Sequence, residues 1–185
     1  MSERKALKGL CGVRVWEIGS NSPAAYETGE MTALEGAQSL TKEVSRSDYT
    51  IYADDGVYDS GSDYQYTDLK LKVAQLPLAV EAMLAGGAYD ETTQTYTFAA
   101  NDMAPELALG FAALMLNGQY RMWVYYACKL MSVKADHSTR GDKNDVQAYE
   151  LSFRATQRKT DGAIGVIRDG SGGDYAWLSS FGTQP

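Results

Sequence analysis

Histidine is almost missing from this 185-residue chain, which has one, His137, together with two cysteines and four prolines. A lone imidazole excludes a multi-histidine metal site, and its place in a polar loop argues against a catalytic triad built on it. Cys11 and Cys128 lack the Cys-x-x-Cys spacing of a zinc or redox motif. Basic charge is also short. The 17 Lys and Arg face 24 Asp and Glu, a net charge of −7, which argues against a protein that grips nucleic acid through its phosphates. Long apolar runs are lacking too. The longest, Leu107 to Leu116, contains Gly110, follows Glu106 and is too short to cross a bilayer as a helix. Near the start, Glu3, Arg4, Lys5 and Lys8 interrupt any leader-like core, so folding in a cytoplasm is expected, without a disulfide.

Tyrosine is what the chain has in excess, with 13 Tyr against 4 Phe and 3 Trp. Its apolar ring and polar tip suit half-buried sheet faces and wet subunit contacts. Apolar residues at 44% and charged residues at 22% are ordinary for one globular domain with a real core.

Alternation of period two points to strands. From Gln65 to Val73, Gln65, Thr67, Leu69, Leu71 and Val73 form an inward set. Between Arg121 and Leu130 the inward set is Met122, Val124, Tyr126, Cys128 and Leu130, and Trp123 and Tyr125 on the opposite face imply a second cover. From Gln147 to Gln157 the set is Tyr149, Leu151, Phe153 and Ala155, and this strand is expected to pair with the previous one. Shorter candidates are Gly12 to Ile18, Thr32 to Ala37, Leu40 to Ser45, Tyr49 to Ala53, Thr93 to Ala99, Leu107 to Leu116 and Ala163 to Arg168. One helix is expected at Leu76 to Leu84, with Pro77 at its first position, Leu76, Val80, Met83 and Leu84 on one face, and Gly86-Gly87 as its stop.

Polar, glycine-rich stretches mark the loops. Asp54 to Asp63 reads as the tip of a long hairpin. Ser132 to Val146, with Lys134, Asp136, His137, Arg140, Asp142 and Lys143, reads as a second mobile loop. Gly170 to Asp174 reads as a hinge before the apolar tail Tyr175 to Phe181, which is expected to dock on its own domain or on a neighbour. No chemistry-bearing constellation emerges. Asp54-Asp55-Gly56 lacks the alternating oxygen ligands of a calcium loop, and Gly170 to Asp174 lacks the Lys-Ser/Thr of a phosphate cradle. Arg140-Gly141-Asp142 is a short match in a polar loop, and no two carboxylates are singled out as an acid and base pair. No catalytic, cofactor or metal residue is expected.

Three stretches carry a resemblance. They are Tyr52-Ala53-Asp54-Asp55-Gly56-Val57-Tyr58, then Leu69 to Pro77 leading into the helix, and Thr139 to Gln147 leading into Tyr149-Glu150-Leu151-Ser152-Phe153. In order and spacing, from about Gly9 to about Arg168, the chain resembles the major tail proteins (tail tube subunits) of long-tailed, non-contractile phages and prophages of Gram-positive bacteria. The resemblance implies a mainly β fold, a β-sandwich or incomplete barrel with one flanking helix. It implies an N-terminal arm over residues 1–11, one domain over 12–168 and a flexible C-terminal arm over 169–185. It further implies hexameric rings stacked into a tube in the virion, built in the bacterial cytoplasm around a tape measure protein and bounded by terminator and tail-tip proteins. DNA would pass through the lumen without specific binding, no membrane would be involved, and an acidic lumen would suit that passage. The stacking hairpin would present Tyr52, Asp54, Asp55, Val57, Tyr58 and Asp59, and the C-terminal arm Tyr175, Trp177 and Phe181. Two other readings stand beside it: a tube subunit of a tail-like bacteriocin or injection device, and a monomeric β-sandwich that binds carbohydrate or an adhesin. An enzyme using carboxylates on a β scaffold is a third.

Overall fold

A computed structural model describes residues 5–135, 148–170 and 176–181. The elements, in chain order, are β1 Leu7–Asn21, β2 Tyr26–Ala33, β3 Ala37–Ala53, β4 Gly56–Val73, α1 Leu78–Ala85, β5 Ala88–Asp90, β6 Thr95–Thr97, β7 Leu107–Met115, β8 Tyr120–Ala135, β9 Tyr149–Thr156, β10 Gly165–Gly170 and α2 Ala176–Ser180. The architecture is mainly β, as expected, with a large antiparallel sheet not closed into a barrel. Its strands run in the order β2-β1-β7-β8-β9-β4-β3, and β10 pairs with the first part of β8 while β9 pairs with the second. The small β5-β6 hairpin lies beside α1.

The sheet curls around one core. Val13 and Val15 of β1, Leu69, Leu71 and Val73 of β4, and Leu151 and Phe153 of β9 all share that cluster, although their strands lie far apart in the sheet order. The β2–β3 connection ties the edges together: the Leu34 N–H donates to Val13 O at 2.9 Å and the Ala74 N–H to Gly36 O at 2.8 Å. α1 closes the open side by sending Leu84, Val80 and Met83 into the same cluster. It ends at Gly86, whose left-handed φ of 80° suits glycine and whose N–H bonds back to Ala82 O. Pro77 is the N-cap rather than the first helical residue, because its ψ of 142° is extended.

β7 lies between β1 and β8 and is buried on both faces. One face joins the main core. Against the other, Trp16, Ala108, Ala112, Met122 and Val124 form a second cluster closed by Leu178 of α2, which is fully buried. The C-terminal segment therefore docks on its own domain, as a helix that local periodicity did not show. Gly110 makes room for it: a Cβ there would sit 2.4 Å from Leu178 Cδ2 and 2.9 Å from the Trp16 ring.

Several sequence expectations are corrected. The alternation from Met122 to Leu130 is broken by a register shift against β7, where Leu107 faces Cys128 but Leu109 faces Tyr125. The extra residue turns the strand over, so Met122 and Val124 serve the second cluster while Cys128 and Leu130 serve the main core. The Thr32 to Ala37 candidate is split by a turn at Gly36, whose φ is 74°. Leu40 to Ser45 and Tyr49 to Ala53 are parts of one strand, β3. β8 runs on through Lys134, which the sequence assigned to a loop. The expected strand Gln65 to Val73 is the second part of β4, the strand expected over Gln147 to Gln157 is found as β9 over Tyr149–Thr156, with Gln147 outside the described residues, and β8 pairs with β9 as expected.

Gly110→Ala is expected to push α2 off the sheet and to cost about 1–3 kcal/mol, the usual range for overpacking. A lowered melting midpoint, with faster amide exchange in α2 than elsewhere, would verify it; an unchanged midpoint would refute it.

Candidate assembly surfaces

The first surface is a two-stranded ribbon. Among the described residues, β4 pairs with β9 only from Thr67 to Val73, and β3 pairs only with β4. Beyond that root the two strands pair, among the described residues, with each other alone, from Ser45 opposite Tyr66 to Ala53 opposite Gly56. At strand rise this makes an arm about 27 Å long. The loop at its tip is two residues, Asp54 and Asp55, with left-handed φ of 50° and 62°. Such a mirror-image turn matches strand twist, and aspartate tolerates the conformation better than most side chains. The expected loop over Asp54 to Asp63 is thus strand after its first two residues. Its alternation is invisible because both faces of the ribbon are wet, so no apolar period is imposed on it.

Tyr58 is the extra residue of a bulge, since Ile51 faces Asp59 while Tyr52 faces Val57. Tyr52, Val57 and Tyr58 are exposed by 74%, 61% and 75%. Gly61 lets the Tyr49 ring lie across the ribbon, as a Cβ there would come within 2.7 Å of it. At the root, the Tyr64 hydroxyl donates to Ala155 O at 3.0 Å and lies 3.1 Å from Thr67 Oγ1. Asp48, Asp54, Asp55, Asp59 and Asp63 against Arg46 give residues 45–66 a net charge of −4, more than half of the chain's −7. Of the sequence-predicted hairpin residues, Tyr52 is the last but one residue of β3, Asp54 and Asp55 form the turn, and Val57, Tyr58 and Asp59 follow Gly56 at the start of β4. These residues share one tip.

The second surface is the outer face of β3, β4, β9 and β8. Cross-strand register aligns Lys72, Glu150 and Lys134 in one row, Thr41, Lys70, Ser152 and Ser132 in the next, and Glu43, Asp68, Arg154 and Lys129 in a third. The Arg154 guanidinium forks onto Asp68, with Nε to Oδ1 at 2.9 Å and Nη2 to Oδ2 at 3.3 Å, and stands 3.8 Å from the Tyr66 ring centroid. Lys72 Nζ lies 3.7 Å from Glu150. Five cations and three carboxylates on these rows give a net +2. The acidity of the chain is therefore not on this broad face.

The third surface is a groove of about 780 Å³ beside α2, lined by Tyr26, Tyr126, Arg158, Val166, Trp177 and Phe181 among others. Its rings are already engaged. Phe181 stacks on Tyr126 at 5.9 Å and meets Trp16 edge-on at 5.2 Å, and Arg158 stands 4.0 Å from the Tyr126 centroid. The Tyr26 hydroxyl donates to Tyr126 O at 2.7 Å, and burial raises its pKa well above the ordinary phenol range. Arg158 also forks onto Asp161, at 2.9 and 2.6 Å, and this contact, helped by the Ala163 N–H, lowers the Asp161 carboxyl to about 2.

Trp177 and Phe181 belong to this groove; Tyr175 lies outside the described residues, as do Asp136, His137, Arg140, Asp142 and Lys143. Lys134 instead falls on the basic face. Arg154, Asp68, Tyr66 and Arg158 were missed by the sequence reading, and no linear signal marks them, because register alone brings them together. Cys11 and Cys128 are free thiols, and burial raises the Cys128 pKa. Among the described residues no group of three His, Cys, Asp or Glu side chains is placed to hold a metal ion, and no helix is long and apolar enough to cross a membrane.

No family model matches the sequence, and no curated protein matches it. Among solved structures, the chain is similar to a component of the PVC extracellular contractile injection system, seen in its sheath-tube complex, at 11% identity, with 84% of this chain and 87% of that one covered and a TM-score of 0.45. It is similar to the tube terminating cap of the anti-feeding prophage at 8% identity, with coverage of 85% and 88% and a TM-score of 0.46. A chain of the anti-feeding prophage baseplate gives 9% identity, coverage of 94% and 99%, and a TM-score of 0.43.

Two outcomes test these surfaces. Asp55→Val puts a β-branched residue at a left-handed position and should destabilise the tip by about 1–2 kcal/mol, read as faster amide exchange at Tyr52 and Val57 with the core unchanged. Asp161 has a folded pKa below its unfolded value of 3.8, so its contribution is present above that pH and is lost as pH falls toward about 2. Asp161→Asn should remove that part of the acid dependence of stability, measured by urea melts across the same interval.

Proposed function

We propose that this chain is the repeating subunit of a tail tube, a structural protein that acts by polymerising rather than by catalysis. The observation that carries the reading is the ribbon: a long arm with exposed rings at its tip and two edges that no other strand of the described residues pairs with. Isolated two-stranded hairpins are marginal in water, and exposed edges are templates for another chain. The sequence resemblance to major tail proteins supports the same conclusion, and the curled, unclosed sheet suits closure by neighbours into a ring. In the finer form, six subunits make each ring and ribbons and terminal segments join the rings. The stack encloses a tape measure protein and, after it leaves, passes the genome to the host. Terminator and tail-tip proteins cap its ends, and the assembled subunit is part of the virion.

A tube subunit of a tail-like bacteriocin or injection device would use the same surfaces, and the neighbouring genes separate the two, capsid and terminase genes favouring a phage. The monomeric carbohydrate-binding alternative has the aromatic groove in its favour, but the rings there are already engaged by one another and by Arg158.

Electron microscopy of the concentrated full chain, with and without tail-tip components, tests the reading. Rings or tubes are expected; their absence under both conditions would overturn it, and glycan binding by the monomer would then favour the carbohydrate-binding alternative. Replacing residues 50–60 by Asn-Gly keeps Tyr49 opposite Gly61 and should abolish tubes while cooperative melting of the domain persists.

A further inference from the structure

The two charged surfaces lie at opposite ends of the same strands. β4 starts at the acidic tip and ends beside Lys70 and Lys72, a contour of about 50 Å. At that far end Lys134 of β8 flanks Glu150 on the side opposite Lys72. The tip half carries a net −4 and the outer face at the far end a net +2. Among the described residues nothing covers this face, and Lys70, Lys72 and Lys134 are exposed, whereas the corresponding face of β1, β7 and β10 is covered by α2.

We infer that the acidic ribbon of one copy docks on the basic outer face of β4, β9 and β8 in the next copy, giving a head-to-tail contact directed by charge. This rests on the polymer reading above and specifies which surface receives the ribbon. Tip and receiving face are different patches of one chain, so the contact is heterologous. Each docking leaves a free tip and a free face, and growth continues in one direction. The attraction of the Asp-rich tip to the lysines steers encounter and fixes polarity, because tip against tip and face against face repel. The exposed Tyr52, Val57 and Tyr58 lose water in the docked state and supply the apolar part of the contact. Tyr66 under Arg154 sits at the junction between ribbon and face, which keeps the two surfaces on one rigid element.

Charge exchange tests the inference in the full-length protein. Asp48→Lys, Asp59→Lys and Asp63→Lys together turn the tip from −4 to +2 without touching the left-handed turn. Lys70→Glu and Lys134→Glu turn the face from +2 to −2 and break none of the ion pairs seen among the described residues. Melting curves establish that both variants fold, and sedimentation and microscopy read polymer. Each variant alone should assemble at least about tenfold more slowly than the wild type, since like charges then meet at every contact. An equimolar mixture should recover assembly, because each tip then finds an oppositely charged face. The slowing should shrink near 1 M salt, where the screening length is about 3 Å. Wild-type assembly by folded single variants, or a mixture no better than its parts, would overturn the inference and leave the tube reading standing. Failure of the wild type to assemble at all would overturn both.

Discussion

A strand that is apolar on both faces must be covered twice, and the rest of this molecule is arranged around meeting that requirement for β7. One cover is the sheet itself, curled until β1, β4 and β9 share a core that α1 closes. The other is α2, which brings Leu178 onto Gly110 and Trp16 from the far end of the chain. Two of the three register shifts next to β7 serve the same requirement. On β1, Gly12 takes a φ of 58° within a register shift, so that Val13 and Val15 face the main core while Trp16 faces α2. On β8 the shift near Tyr126 passes the strand from one cluster to the other. A bulge bends and twists its strand, a deformation that suits a sheet curled around its core.

The cover stops where β8 changes partner. Beyond β10, the outer face of β8 meets β9 and β4 and becomes polar, with rows of Lys, Glu, Arg and Asp in cross-strand register. Beyond β9, the sheet narrows to the β3-β4 ribbon and the charge becomes acidic. Going outward from β7, the molecule thus passes from a doubly buried sheet to a singly buried one and then to an arm buried on neither side. Stability falls in the same direction, because each step gives up an apolar interface. The proposed polymer would use that gradient, since the arm that meets a neighbour is held, among the described residues, by its own ladder.

Legibility in the sequence followed burial. Thr67, Leu69, Leu71 and Val73, and likewise Leu151, Phe153 and Ala155, alternate because one face of their strands is dry, and their strands were readable. Leu76, Met83 and Leu84 with Gly86 behind them marked the helix for the same reason. The ribbon failed the same test, since a strand wet on both faces has no period and its Asp, Ser and Gly residues look like loop. The β8 phase change failed it too, because a bulge is an agreement between two strands and one strand's sequence does not display it. Of the surfaces, the tip around Asp54-Asp55-Gly56 was legible through its turn chemistry. The basic face was not, because Lys72, Glu150 and Lys134 come from three strands.

The sequence by itself determined a mainly β, acidic, tyrosine-rich domain with a helix after its long hairpin, and its single histidine excluded a multi-histidine metal site. Local side-chain preference and alternation are enough for that, since they act within one strand or one turn. Only the tertiary structure decided that the sheet curls without closing, that the C-terminal segment becomes its second cover, and that the acid and the base sit at opposite ends of β4. Those outcomes depend on register between strands distant in sequence, and register is fixed by packing the whole core at once.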